Sequence, residues 1–336
     1  MDRSPDNILT IDALKTGFRS GRASRVLLND FSTSVAQCQL IAVIGKNGSG
    51  KSTLLRTITG LQEALSGRII LDGSDTISYS KMELARKVSY ISTEPVRVAN
   101  MNVYELVSLG RFPYTDWTGR IDQANHQAIL SAIEKTGMKE MISVPVGELS
   151  DGERQRAMIA RVMAQETRLM VMDEPTAFLD IGSKFEITQL LHDLARYGNR
   201  TIIFSTHDLH LAMNHADKIW LLKNSELVEG APEDLMLQGE FDHIFDSLSV
   251  KYDAEQGTFT FSNKSGGSIY IEGEGVMRGW TEKALIRTGY TISYMQTEEY
   301  IIVPSAKNTQ WKLISGTRTD EFNTIYELLR FLKTTA

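Results

Sequence analysis

The stretch "IAVIGKNGSGKSTLL" (residues 41–55) runs from unbroken aliphatics through a glycine-rich loop into residues that favour a helix. Within it Gly45, Gly50, Lys51 and Ser52 satisfy the pattern G-x-x-x-x-G-K-[ST]. Glycines at that spacing let successive backbone N–H groups curl around phosphate oxygens, and the helix that follows turns its positive end to the same point. The loop residues Gly45, Lys46, Asn47, Gly48, Ser49, Gly50, Lys51, Ser52 and Thr53 are therefore the candidate nucleotide site. In such a loop Lys51 reaches the β- and γ-phosphates, and the Ser52 hydroxyl is suited to Mg2+. The alternative, a plain glycine-rich turn, does not account for the strand before it and the helix after it.

Downstream, "RLMVMDE" (168–174) is an apolar run of the buried-strand type that ends in Asp173 and Glu174. The first carboxylate can hold Mg2+ through water, and its neighbour suits a general base that orients the attacking water. "TIIFSTH" (201–207) sets His207 just past a second such run, where it can contact a γ-phosphate. In open parallel sheets ligands gather at the carboxyl ends of the strands, so these polar strand ends point to one site. Alone, two acids before Pro175 would read as a helix start, and His207 as a local hydrogen-bonding residue.

The flanking sequence extends this pattern. "ILTIDAL" (8–14), "RVLLNDF" (25–31) and "GRIILDG" (67–73) read as short strands, and residues 99–165 are mostly helical. The helical "KFEITQLLHDLAR" (184–196) separates the two buried strands, which implies a parallel sheet covered on both faces. "KIWLLKNSELVEG" (218–230) reads as a hairpin leaving that sheet. "NKSGGS" (263–268) reads as a linker, dividing a domain of residues 1–262 from a small α+β domain of residues 263–336. The order expected in the small domain is strand, helix, three strands, helix. There "IYIEGEGVMRG" (269–279) has Arg278 where a dinucleotide-binding G-x-G-x-x-G needs glycine, so a strand-to-helix turn is expected.

One helix start is unusual. In "GELSDGERQRAMIARVMAQ" (147–165) Ser150 and Glu153 have the spacing of a capping box. Gly152 falls within the first turn, where glycine costs roughly 1 kcal/mol against alanine. A bare backbone there implies a close approach.

Composition sets outer limits. The net charge of −6 argues against non-specific nucleic-acid binding, which draws on excess Lys and Arg. A single cysteine, Cys38, excludes an intramolecular disulfide and fits a reducing compartment. No signal-peptide core opens the sequence, and no run of about eighteen apolar residues offers a membrane span. Work at a membrane is therefore expected to go through a partner.

With these residues placed, residues 8–262 resemble the ATP-binding cassette family. The phosphate loop, the signature "LSDGE" (149–153), "LMVMDE" (169–174) and His207 stand in that family's order. "AFLD" (177–180), with Asp180, is similar to its D-loop, and Phe18 stands where an aromatic residue stacks on adenine. The resemblance implies an α/β P-loop NTPase cassette: a mixed sheet core, an antiparallel β subdomain and a helical signature subdomain, here joined to the small C-terminal domain. It implies an ATPase that works as a head-to-tail homodimer. Ser150, Gly152 and Glu153 of one copy would face the γ-phosphate held by the other, and the bareness of Gly152 would admit it. Glu174 and His207 would be catalytic, with Mg2+ on Ser52 and Asp173.

Two positions depart from the family pattern. Glu153 stands where the signature usually has glutamine. Aligned from "YELVSLGRFPY" (104–114), Thr93 falls where a glutamine normally touches metal and water, so Thr93 or the adjacent Glu94 is expected to replace it.

"SLGRFPYTDWTG" (108–119) is similar to a stretch of importer ATPases for iron–siderophores, haem and cobalamin, beside the surface that docks the permease. The other reading of its aromatics is a turn that caps the helical subdomain. The resemblance thus implies a permease dimer and, indirectly, a periplasmic or surface substrate-binding protein as partners. It places the chain on the cytoplasmic face of the inner membrane, with no nucleic acid. Exporters, and soluble cassettes acting on ribosomes or DNA, are the alternatives; no heptad run or basic arm supports the latter. Residues 263–336 hold no histidine or cysteine, so a metal sensor is not expected there, and a regulatory or dimer-stabilising role is.

Overall fold

The computed structural model describes residues 7–20, 23–93, 101–116, 119–241, 250–253, 258–261, 267–305 and 310–335. They fall into two units, Met1–Gln238 and Gly239–Ala336. The strands of the first unit are β1 (Asn7–Ser20), β2 (Ala23–Ala36), β3 (Leu40–Gly45), β4 (Ser66–Leu71), β5 (Ser74–Asp75), β6 (Val88–Ile91), β7 (Leu169–Met172), β8 (Thr201–Ser205), β9 (Lys218–Lys223) and β10 (Glu226–Gly230).

Strands β3, β7 and β8 are buried at every residue, as their largely apolar sequences require of strands covered on both faces. They belong to a six-stranded sheet of order β10-β9-β3-β8-β7-β6. All its pairings are parallel except β9–β10. That hairpin turns through Asn224 and Ser225, both at positive φ (51° and 63°), the conformation of a tight two-residue turn. The order sets the carboxyl ends of β3, β8, β7 and β6 side by side, and these ends carry the site. β6, "VSYI", has no counterpart among the strands expected from sequence. It is only four residues long, and its buried Ser89 breaks the apolar run, accepting a hydrogen bond from Thr167 Oγ1 at 2.8 Å.

The second sheet, β2-β1-β4-β5, is antiparallel. The helix Lys51–Ile58 joins the two sheets in one core, in which its Leu54, Leu55 and Ile58 meet Ile11 and Ile69 as well as Val43 and Ile203. The helices Val103–Ser108, Gln123–Lys135 and Asp151–Ala164 pack on one another as a helical subdomain. Among the described residues no helix is long and apolar enough to cross a membrane.

In the second unit β11 (Val250–Asp253) and β12 (Thr258–Phe261) form a hairpin. A five-stranded sheet follows, of order β14-β13-β15-β16-β17: β13 (Ser268–Glu272), β14 (Thr291–Ser293), β15 (Glu299–Ile302), β16 (Trp311–Ser315) and β17 (Arg318–Phe322). The helices Gly275–Arg287 and Ile325–Thr335 complete its own core, with Ile271, Leu285, Ile301, Leu313 and Leu328 at its centre. The turn before Gly275–Arg287 is a strand-to-helix turn with Gly273 and Gly275 at positive φ. Two features differ from expectation. The units divide at 238/239 rather than 262/263, because the hairpin lies with the second unit, where β12 packs on Gly275–Arg287. Four strands, not three, follow that helix, the fourth being the charged edge strand β17.

Candidate active site

Lys51 opens the helix Lys51–Ile58 directly after Gly50, whose φ of 103° only glycine adopts readily. Its ammonium group folds back into the loop, donating to the carbonyl oxygens of Gly45 (2.9 Å) and Lys46 (3.4 Å). Burial pulls the Lys51 pKa below its ordinary value, and the nearby Glu174 and Asp173 carboxylates oppose that pull. Ser49 Oγ is buried without a hydrogen-bond partner among the described residues. It sits where a side chain at Gly45 would be, 2.6 Å from the position of a Cβ. A buried hydroxyl without a partner inside a loop of main-chain donors fits a phosphate-bearing ligand.

Asp173 and Glu174 follow β7. Asp173 is 2% exposed, and its Oδ1 accepts a hydrogen bond from Ser205 Oγ at 2.7 Å. The same Ser205 Oγ accepts from the Glu174 backbone N–H at 2.8 Å, so one hydroxyl at the end of β8 fixes both acids. Glu174 has φ of 50°, a costly conformation for a side chain with a Cβ, held by these neighbours. Its Oε1 pairs with Nε2 of His207, from the loop after β8. Thr93, just past β6, donates through Oγ1 to the Asp173 carbonyl at 3.2 Å. Three adjacent strand ends, those of β6, β7 and β8, are thereby cross-linked.

Glu174 also borders a cleft of about 300 Å3 whose floor is Asn47, Gly48 and Gly50 to Thr53. Phe18 closes one side of it, 49% exposed, with its cross-strand partner Arg25 and with Leu27. The structure thus gathers the phosphate loop, Phe18 and Glu174 around one space. Thr93 does not line it, and Glu94 lies outside the described residues. Ser150, Gly152, Glu153 and Asp180 are not among its lining residues either.

Ser150 and Glu153 form the expected capping box: Glu153 Oε2 accepts from the Ser150 N–H at 2.8 Å, and the Glu153 N–H donates to Ser150 Oγ at 3.3 Å. Gly152 has a close neighbour within the chain itself. A Cβ on it would lie 2.7 Å from Ser183 Oγ and 3.1 Å from Ser183 Cβ. The chain's own helix Ile181–Arg196 thus comes close to this backbone through Ser183. Asp180 caps that helix, accepting from the Ser183 N–H (2.9 Å) and hydroxyl (2.8 Å).

Sequence reading missed Ser205, Arg25 and Leu27. Ser205 had a signal, a polar residue closing an apolar strand beside His207. Arg25 and Leu27 had none, since only the pairing of β1 with β2 carries them to Phe18.

Comparison with known proteins bears on this geometry. A family model described as ABC transporter matches residues 28–177, and one described as Iron ABC transporter C-terminal domain matches residues 266–333. The iron(3+)-hydroxamate import ATP-binding protein FhuC of Bacillus subtilis (strain 168) is 33% identical over 259 residues, 77% of this chain and 93% of that protein. This chain belongs to the ABC transporter family. It is an ABC ATPase, and this cassette is also 33% identical to the ferric enterobactin transport ATP-binding protein FepC of Escherichia coli (strain K12), over 67% of the chain and 83% of that protein. The fold is that of solved cassettes: a bacterial ABC transporter cassette determined as a dimer aligns with a TM-score of 0.58, 23% identity, and coverage of 67% of this chain and 98% of that one.

Proposed function

We propose that this cassette is the energising subunit of an importer for an iron(III) chelate, drawn from the wider class of iron–siderophore, haem and cobalamin uptake. In this reading two copies close head to tail on two Mg·ATP, drive a permease dimer at the cytoplasmic face of the inner membrane, and reset after hydrolysis. A substrate-binding protein on the far side delivers the cargo. The observation that carries the reading is a cleft lined by Lys51, Ser52 and Glu174, with Glu174 tied to Asp173 through Ser205 and paired with His207, which the signature residues of the same chain do not line. A second copy would supply them.

The residues divide the work by their chemistry. Lys51 and the loop N–H groups hold the β- and γ-phosphates, and Phe18 stacks on the base. The donor set suits a hard cation, since the Ser52 hydroxyl and the Asp173 carboxylate offer only oxygen. Mg2+ bound there would neutralise charge on the phosphates. Glu174 takes the proton of the attacking water, and His207, already against its carboxylate, contacts the γ-phosphate. Ser150 and the N-terminus of the helix Asp151–Ala164 offer donors to the phosphate held by the other copy.

Exposed apolar side chains support both interfaces. Phe178, Ile181 and Phe185 are 88%, 76% and 45% exposed around Asp180, a patch suited to a second copy. Phe112 is 68% exposed beside Arg111, which is anchored to Asn125 Oδ1 (2.7 Å), Ala164 O (2.6 Å) and Glu166 Oε2 (2.6 Å). An outward aromatic next to an anchored arginine suits a docked permease segment.

The test is Glu174→Gln. ATP turnover is expected to fall by about a hundredfold or more. ATP binding is retained, and ATP drives the variant from monomer to dimer in sedimentation. Full turnover, or a monomer under saturating Mg·ATP, overturns the reading. Uptake of a labelled ferric siderophore by cells carrying the chain and its permease tests the cargo.

A further inference from the structure

Glu174 borders two spaces. Besides the nucleotide cleft, it lines a second cavity of about 100 Å3 with Thr93, Gln155, Ala177 and Phe178. Gln155 reaches it from the helix Asp151–Ala164, and its Nε2 is buried without a hydrogen-bond partner among the described residues. Buried amides lacking a protein partner are usually satisfied by water, and a polar cavity of this size holds more than one. The charged groups near Glu174 are Lys51, Asp173 and His207 towards the nucleotide, and Asp151 and Arg154 around the second cavity.

We infer that Gln155 is a positioning residue for hydrolysis: its amide N–H donates to a water in the second cavity, and that water donates to the Glu174 carboxylate. The helix that begins with the signature thereby steadies the base from the side away from the nucleotide. Gln155 touches neither ATP nor the attacking water. Thr93, whose hydroxyl proton goes to the Asp173 carbonyl, lines the same cavity and offers that water an acceptor. The inference rests on the reading of Glu174 as base.

The experiment is steady-state ATP hydrolysis by the full chain with Gln155→Met, which keeps side-chain length and helix preference while removing the donor. The expected result is a fall in kcat of about tenfold or more, as misplacement of a reacting group produces. KM for ATP, the affinity for a fluorescent ATP analogue and the melting temperature stay at their parent values. A role in packing alone would lower the melting temperature along with kcat. If Gln155→Met folds poorly, Gln155→Glu replaces it, keeping shape without an amide donor, with the same fall expected. Parent-like kcat in these variants, or a fall in kcat accompanied by a matching change in KM for ATP or in melting temperature, overturns the inference. A Glu174→Gln control separates the two readings: if it turns over normally the base assignment fails, and if it is inactive only the role of Gln155 is at issue.

Discussion

At Gly152 the hydrogen that stands in place of a side chain faces Ser183, whose hydroxyl is itself held by Asp180. Alanine there would gain roughly 1 kcal/mol of helix preference. Against this, forcing a methyl group into a closed contact costs about 1–3 kcal/mol, so the net expectation for Gly152→Ala is a lower melting temperature. Ser183→Ala removes the nearest atom, so the double variant is expected to lose less stability than the sum of the two single changes, as thermal melts would show. ATP turnover then separates the two uses of a bare backbone. If a partner's phosphate also needs it, the double variant stays slow although its stability has recovered. That something comes close to residue 152 could be read from a glycine in a capped turn. That Ser183 is one such neighbour could not, because it lies on another helix. Likewise Asp173, Glu174 and His207 were readable as strand-end polar groups, whereas the Ser205 hydroxyl linking the first two is a product of the order β8-β7.

Helix starts were readable because their signals are local. The Ser150–Glu153 box is present, and it also has a pH dependence. Hydrogen bonds from the Ser150 hydroxyl and N–H hold the Glu153 carboxyl below its ordinary pKa. A depressed carboxylate stabilises the fold above its unfolded pKa, and that contribution is lost as pH falls through the folded value. The loss therefore lies below about pH 4.3, the usual glutamate value. Glu153→Gln keeps an acceptor at every pH, so between about pH 6 and pH 3 its melting temperature should fall less than the parent's, by about a degree in view of the exposure. Strands were less readable. β17, "RTDEF", carries charges typical of a sheet edge, and only the register that sets Trp311 opposite Phe322 and Lys312 opposite Glu321 reveals it.

Across the whole chain, alternating buried strands and helices predicted the parallel sheet, and the motif order predicted the family. The stretch "NKSGGS" (263–268) coincides with the start of the C-terminal family match at residue 266 but not with the division of compact units, because the hairpin β11–β12 precedes it and lies with the second unit. The cleft itself holds a larger consequence. Its lining includes the phosphate loop and Glu174 but none of Ser150, Gly152 or Glu153. In the head-to-tail reading, damage to Lys51 and damage to Ser150 are damage to opposite halves of a pocket. A strain with Lys51→Ala alone, or Ser150→Arg alone, should not grow where uptake through the transporter is required. A cell carrying both alleles should, because a mixed pair gathers both lesions into one pocket and leaves the other intact. Intergenic rescue between two dead copies, with ATP turnover reappearing in the mixed preparation, is the genetic signature of a site that no single polypeptide owns.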